Sequence, residues 1–208
     1  MILVDDLKWA VDVMLHPSKK ATQTWTIGNA LVAYWKTAII PMILTLILVV
    51  GAGGVFATAL TSMLGPIGTL TGGLLSGLII GGILVEYLIF VPIGLLIGAG
   101  FIHIAGKVLG IFKGGGYAAT FSAMVYGVLP WLVLSWIPFI SVIGELWSIV
   151  VTVFALSNIQ KTTKLMAFVA WIGGIIIAGI IAAIIGAVVG VAVVGLLGGL
   201  GGVPAIHH

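Results

Sequence analysis

From residue 37 onward the chain is built of long apolar runs joined by short polar breaks. Residues 37–85, 87–106, 114–144, 146–160 and 165–208 carry no Asp, Glu, Lys or Arg. Runs of about 20 such residues have the length of a helix that crosses a bilayer. The pattern predicts five spans: Thr37 to Leu60, Gly73 to Ala105, Ala118 to Trp136, Ser141 to Leu156, and Leu165 to Gly199. Turns are expected at Ser62–Gly72, where Gly65-Pro66-Ile67-Gly68 has no charge, and at Ile137-Pro138-Phe139. The second span is too long for one bilayer crossing. Its 33 residues would rise about 50 Å at about 1.5 Å per residue, so it could tilt, project beyond the membrane, kink at Pro92 and Gly94, or form two re-entrant pieces, of which the last would put Lys107 and Lys113 opposite the amino-terminal lysines.

The first 36 residues have a different pattern. Asp5, Lys8, Asp12 and His16 share one stripe of a helix, with Leu3, Leu7, Val11 and Met14 opposite. Pairing of Asp5 and Asp12 with Lys8 is expected along the stripe, and Pro17 should end the helix. Residues 18–36 mix Lys19, Lys20 and Lys36 with Trp25, Tyr34 and Trp35, which suits a headgroup layer. The expected fold is an all-α integral membrane protein, a five-helix transmembrane bundle with an amino-terminal amphipathic interfacial helix. Its parts are 1–36 interfacial, 37–199 membrane domain, and 200–208 a short outer tail ending in His207 and His208, a possible tag remnant.

Charge sets the expected orientation. All eight basic residues are lysines, in a chain only 6% charged and 62% hydrophobic. Five spans put every lysine on one side, as the positive-inside rule requires, with the amino terminus cytoplasmic and the carboxyl terminus outside. A net charge of +3 held close to the membrane offers nothing to nucleic acid. The absence of cysteine removes disulfides and thiolate chemistry.

No catalytic motif is present, and no cofactor or metal is expected. The Gly114–Gly116 run lacks the Gly-Lys-Ser/Thr ending of a phosphate loop and reads as a flexible turn. The polar candidates inside spans are Glu86, Glu145 and His103. Glu86 falls 13 residues after Gly73, about 20 Å into the second span. It is either a cation or proton site, or a neutral acid that bridges helices or lies near the outer surface. Glu145 is expected near the outer interface. Gly73, Gly77 and Gly81, and Gly174, Gly186 and Gly190 with Ala178 and Ala182, recur every four residues. Such ladders let helix backbones approach in lipid, either within the chain or between copies.

Residues 106–168 carry a further pattern: Lys113-Gly-Gly-Gly-Tyr117-Ala-Ala-Thr120-Phe121, then Tyr126 with Pro130, Pro138, Gly144 with Trp147, and Leu156 before Gln160-Lys161-Thr162-Thr163-Lys164 and Ala167. With Leu15-His16-Pro17, this resembles the prokaryotic branch of the Yip family, small multispan membrane proteins named for interaction with Ypt/Rab GTPases. The resemblance implies five spans, a cytosolic amino terminus, a prokaryotic plasma membrane and no established reaction. It marks Gly115, Tyr117, Tyr126, Pro130, Pro138, Gly144, Trp147 and Lys161 as motif positions. The eukaryotic Asp-Leu-Tyr-Gly-Pro signature is absent, so a role in vesicle traffic does not carry over. The expected function is a non-enzymatic membrane protein that organises bilayer or protein partners. Its partners are lipid, a membrane or cytosolic protein, or further copies as a homo-oligomer. The alternative is a small transporter or oligomeric channel using Glu86.

Overall fold

The structure is a computed structural model that describes residues 2–200, with side chains over 4–193 except those of 57, 60, 66 and 69. Residues 201–208, and with them the expected outer tail and its histidines, lie outside the described residues. The described residues are helical and contain no strand. α1 is Ile2–Leu15, α2 Pro17–Lys20, α3 Ile27–Leu64 and α4 Pro66–Val85. A π-helical turn, Glu86–Phe90, leads into α5, Val91–Val108. α6 is Tyr117–Leu134, α7 Ile140–Ile159 and α8 Lys164–Leu200. Among the described residues, five stretches are long and apolar enough to cross a membrane: Ile27–Leu64, Leu70–Val108, Tyr117–Leu134, Ile140–Ile159 and Lys164–Val193.

Local chemistry explains where helices begin and end. Pro17 ends α1 and opens α2 at the first helical position, where its missing N–H costs nothing. Thr26 caps α3, its hydroxyl accepting from the Asn29 amide at 3.2 Å. α3 therefore starts ten residues before the expected Thr37, and part of the expected interfacial segment is helix. The expected turn at Ser62–Gly72 shrinks to Gly65, whose φ of 61° separates α3 from α4. Thr163 caps α8 by accepting from the Met166 amide at 3.3 Å.

The core centres on α6. Phe121, Tyr126, Leu129 and Leu132 are wholly enclosed, together with Val151 and Leu156 of α7, Ala30 and Tyr34 of α3, and Ala10 and Val13 of α1. α1 is thus packed into the bundle through Ala10 and Val13, while Leu7, Val11 and Met14 of the apolar stripe are half-buried. Its ion pairs differ from the expected ones. Asp12 binds Lys20 at 2.7 Å and His16 at 3.1 Å, so α2 folds back on α1 and Lys8 takes no part. The hydrogen bond and charge of Lys20 hold the Asp12 carboxyl below its usual range. This contribution is full above about pH 4 and fades as pH falls through the lowered value. The indole N–H of Trp147 donates to the Met14 carbonyl at 2.8 Å, and the Asn158 amide donates to the Ala21 carbonyl at 3.2 Å. These bonds tie α1 and α2 along α7.

The helices fall into two lengths. α3 has 38 residues and α8 has 37, about 55 Å each at about 1.5 Å per residue. The Leu70–Val108 stretch is one unbroken helical path of 39 residues. α6 and α7, at 18 and 20 residues, reach only about 30 Å. The α3–α4 hairpin and the distal half of α8 therefore rise beyond the α6–α7 hairpin, and their side chains there are largely exposed and apolar, as at Val55, Met63, Leu64, Leu78 and Ile184.

Glycine placement bears on two expectations. The Gly114 turn packs against the end of α7: the Gly114 amide donates to the Gln160 carbonyl at 3.0 Å, and a Cβ there would stand 2.7 Å from the Ile159 carbonyl oxygen. Within the chain, only part of the ladders makes helix contacts. A Cβ on Gly174 would lie 2.8 Å from the Ile102 backbone, whereas Gly73, Gly77, Gly81, Gly186 and Gly190 face open space. Gly174→Ala and Gly186→Ala make equal gains in helix propensity, up to about 1 kcal/mol. Thermal unfolding in detergent should show Gly186→Ala neutral or stabilised, and Gly174→Ala destabilised by about 1–3 kcal/mol through overpacking. Equal shifts would mean that the α5–α8 approach at Gly174 is not a close one.

Candidate functional site

Pro92 creates the first unusual site. In the π-helical turn the Val91 amide donates to the Glu86 carbonyl, five residues back. The next donor in that register would be residue 92, which as proline has none, so the Tyr87 carbonyl is left without a helical partner. The Tyr34 hydroxyl of α3 fills the gap at 2.7 Å. The Tyr87 side chain extends the junction. Its hydroxyl shares hydrogen bonds with Ser135 at 2.6 Å and Thr45 at 3.4 Å, and its ring stacks on Trp131 with centroids 5.6 Å apart. One buried tyrosine thus joins α3, the π turn and the carboxyl end of α6. The irregularity expected at Pro92 and Gly94 lies one turn earlier.

This junction also fixes the height of the polar candidates. Glu86 is exposed beside Tyr87, level with Ser135 at the end of α6 rather than midway along a bundle. Glu145 is exposed near the same end, lining a cavity of about 250 Å³ with Trp131 and Trp171. His103 lies far below, its Nδ1 2.8 Å from the Thr120 hydroxyl. Thr120 also accepts from the buried Gln160 amide at 2.8 Å. The three candidates are therefore not brought together. Among the described residues, no group of three or more His, Cys, Asp or Glu could hold a metal ion.

The residues of the pattern in 106–168 act as joints. The Tyr117 hydroxyl donates to the Leu96 carbonyl at 2.6 Å, tying α6 to α5. A Cβ on Gly144 would stand 2.9 Å from the Pro130 carbonyl oxygen, so α6 and α7 touch there through backbone. A Cβ on Gly115 would overlap Ala119. Lys161 takes a left-handed φ of 52° after α7, and Pro138 lies in the α6–α7 turn beside Phe139 at φ 66°. Tyr126 belongs to a second aromatic cluster, stacked on Trp25 at 4.6 Å and tilted against Trp9 at 5.8 Å.

That cluster forms one wall of a half-open groove of about 480 Å³ between α1, the α2–α3 loop and α3. Asp6, Trp9, Gln23, Trp25, Asn29 and Lys36 line it. The Ser122 hydroxyl accepts from the Trp25 amide at 2.9 Å and fixes the loop to α6. Asp6 Oδ2 is buried without a hydrogen-bond partner. The stripe pattern did not single out Asp6. One residue past Asp5, it is turned about 100° around the helix, onto the packed side with Trp9, Ala10 and Val13.

Relative to the Tyr87 junction the charges are segregated. α3 carries Lys36 below Thr45 and no charge above it, α4 carries none, and α8 carries none after Lys164. α1 and α2, with six charged residues in Asp5–Asp12 and Lys19–Lys20, lie against α6 and α7 below the junction. No family model, curated protein or solved structure matches the chain.

Tyr34→Phe should leave the Tyr87 carbonyl buried and unpaired, lowering stability by about 1–3 kcal/mol. Pro92→Ala returns an amide to the helix, so the same substitution in that background should cost clearly less. Thermal or denaturant unfolding of all four combinations measures the coupling. Simple additivity would sink the proline explanation.

Proposed function

We propose that the protein is a non-enzymatic, Yip-like integral membrane protein, whose packed inner base organises bilayer lipid or membrane partner proteins. The observation that carries this reading is the segregation of charge about Tyr87. The bilayer surrounds the charge-free length: α3 beyond Thr45, α4, and the distal half of α8. From Thr45 to the tip at Gly65 the chain rises about 30 Å, the thickness of a hydrocarbon core.

The alternative register sets the α6–α7 hairpin, also about 30 Å long, across the membrane. That register brings Asp5, Lys8, Asp12 and Lys36 to the depth of the lipid. Each charge at the centre costs about 2.5–3.5 kcal/mol or more. It also leaves the apolar α3–α4 tip in water, with Met63 80% exposed. In the proposed register three helices cross rather than the five expected from hydropathy and implied by the resemblance, so the Yip-like reading rests on the residues of 106–168 and not on the number of crossings. The α6–α7 turn reaches only the inner interface, where Phe139, Trp147, Glu86 and Glu145 meet headgroups and water. The amino terminus and all eight lysines lie inside, in agreement with the positive-inside rule. The distal end of α8 lies outside. The membrane is the plasma membrane of a prokaryote, as the resemblance implies. Gly73, Gly77, Gly81, Gly186 and Gly190, open within one chain, remain available to a second copy.

The chain has no cysteine, so single-cysteine variants report accessibility cleanly. Met63→Cys should react with impermeant maleimide only from outside, and Ser18→Cys only from inside. Phe139→Cys should not react from outside. Labelling of Phe139→Cys from outside as fast as Met63→Cys would restore the five-crossing arrangement.

At the inner interface Glu86 has water for its charge and needs no transported cation. Proton and cation flux in liposomes should therefore be the same for wild type and Glu86→Gln. A pH-dependent flux abolished by Glu86→Gln, at unchanged melting temperature, would replace the organising role with transport.

A further inference from the structure

The groove beside α1 contains an unmet charge. Asp6 is the one carboxylate lining it, and no cationic side chain pairs with Asp6 among the described residues. Asp6 Oδ2 is shut into the wall without a hydrogen-bond partner. A partly buried carboxylate in that position is costly until a counter-charge arrives. Trp9 and Trp25 stand beside it with ring centroids 5.8 Å apart and planes inclined by 56°. Tilted indoles next to a carboxylate are the surroundings that favour an ammonium group, through the negative ring faces and the ion pair together.

A simple cation does not fit the whole groove. Lys36 lines the same space with an ammonium of its own, and Gln23 and Asn29 add neutral amides. An entering monovalent cation would satisfy Asp6 and be repelled by Lys36. An entering anion would do the reverse. A molecule with an ammonium at one end and a phosphate at the other satisfies both, its phosphate taking Lys36 and the side-chain N–H groups of Gln23 and Asn29.

We propose that the groove formed by Asp6, Trp9, Trp25 and Lys36 binds the headgroup of a zwitterionic, ammonium-bearing phospholipid of the inner leaflet. The headgroup as source rests on the membrane register argued above. There α3 enters the hydrocarbon beyond Thr45, so Lys36 and Thr37, the groove's upper rim, lie about 12–14 Å below Thr45 at the underside of the headgroup layer, and Asn29 lies about 24 Å below. The chemistry of the groove does not depend on that register.

Native mass spectrometry of the detergent-purified protein tests the proposal. The protein is mixed with phosphatidylethanolamine, phosphatidylglycerol, or soluble glycerophosphoethanolamine. Wild type should retain phosphatidylethanolamine over phosphatidylglycerol by about tenfold, the size expected of a hydrogen-bonded charge pair. Asp6→Asn keeps the shape of the side chain and removes its charge, so the preference should vanish. Lys36→Gln should weaken retention of both lipids and leave the preference for the ammonium in place. Asp6→Ser is a second charge-removing variant should Asp6→Asn fold poorly, and melting temperatures identify which variants are intact. An unchanged lipid ratio in a folded Asp6 variant would overturn the site, as would no preference in wild type. Asp6-dependent binding of the soluble compound with no retention of the lipid would overturn the headgroup as ligand. Cysteine labelling decides the register on its own, so failure of one reading is distinguishable from failure of the other.

Discussion

The absent amide of Pro92 is the constraint on which much of the architecture rests. A proline inside a helix removes one hydrogen bond and crowds the preceding turn. Here the chain answers with a π-helical turn, which passes the missing bond to the Tyr87 carbonyl. That carbonyl is buried and needs a donor, because an unpaired polar group away from water costs about 1–3 kcal/mol. Tyr34 supplies one from α3. The widened turn also gives Tyr87 its place between Thr45, Trp131 and Ser135. A local defect thereby sets how far α3 slides along α4 and where α6 ends against both.

Once those heights are fixed, charge and length together decide the rest. An apolar helix of about 55 Å exceeds a hydrocarbon core of about 30 Å by nearly a factor of two. A bilayer around such a helix, upright in it, would leave part of its length beyond the core in either register. The α6–α7 hairpin covers one half of these helices and leaves the other half bare. The covered half has α1 and α2 on its flank, with their aspartates and lysines, while the bare half has no charge. The two halves thus differ in the manner expected of protein interior and lipid-facing surface.

The helical class, the number of long apolar stretches and the ends of α6, α7 and α8 were readable from hydropathy alone, because unbroken apolar runs between lysines leave few alternatives. Other features depended on single groups that hydropathy does not weigh. The start of α3 follows from the Thr26 cap, in a segment whose lysines and aromatics also fit an anchor. Glu86 was counted from Gly73, whereas the helix that leads to it begins at Pro66 and the Tyr87–Ser135 contact sets it beside the end of α6. The glycine ladders were visible as spacing, yet spacing is the same whether a helix meets its neighbour, as at Gly174, or open space, as at Gly186. Asp6 was hidden by Asp5: adjacent aspartates read as one polar patch until packing sends one to solvent and the other against Trp9.

The two sites share an element. Tyr34 and Lys36 are two residues apart on α3. Tyr34 points into the core to meet the Tyr87 carbonyl, and Lys36 lines the groove. Neighbouring positions on a helix face different directions, so one turn of α3 serves the interior on one side and the groove on the other. The groove's other wall is held to α6 through Ser122 and Trp25, and to the core through Trp9 and Tyr126. Its carboxylate, indoles and ammonium are therefore carried by helices that the core already fixes, apart from a short loop pinned at Trp25. A headgroup held there would be gripped by preorganised groups, with little ordering left for the protein to supply on binding.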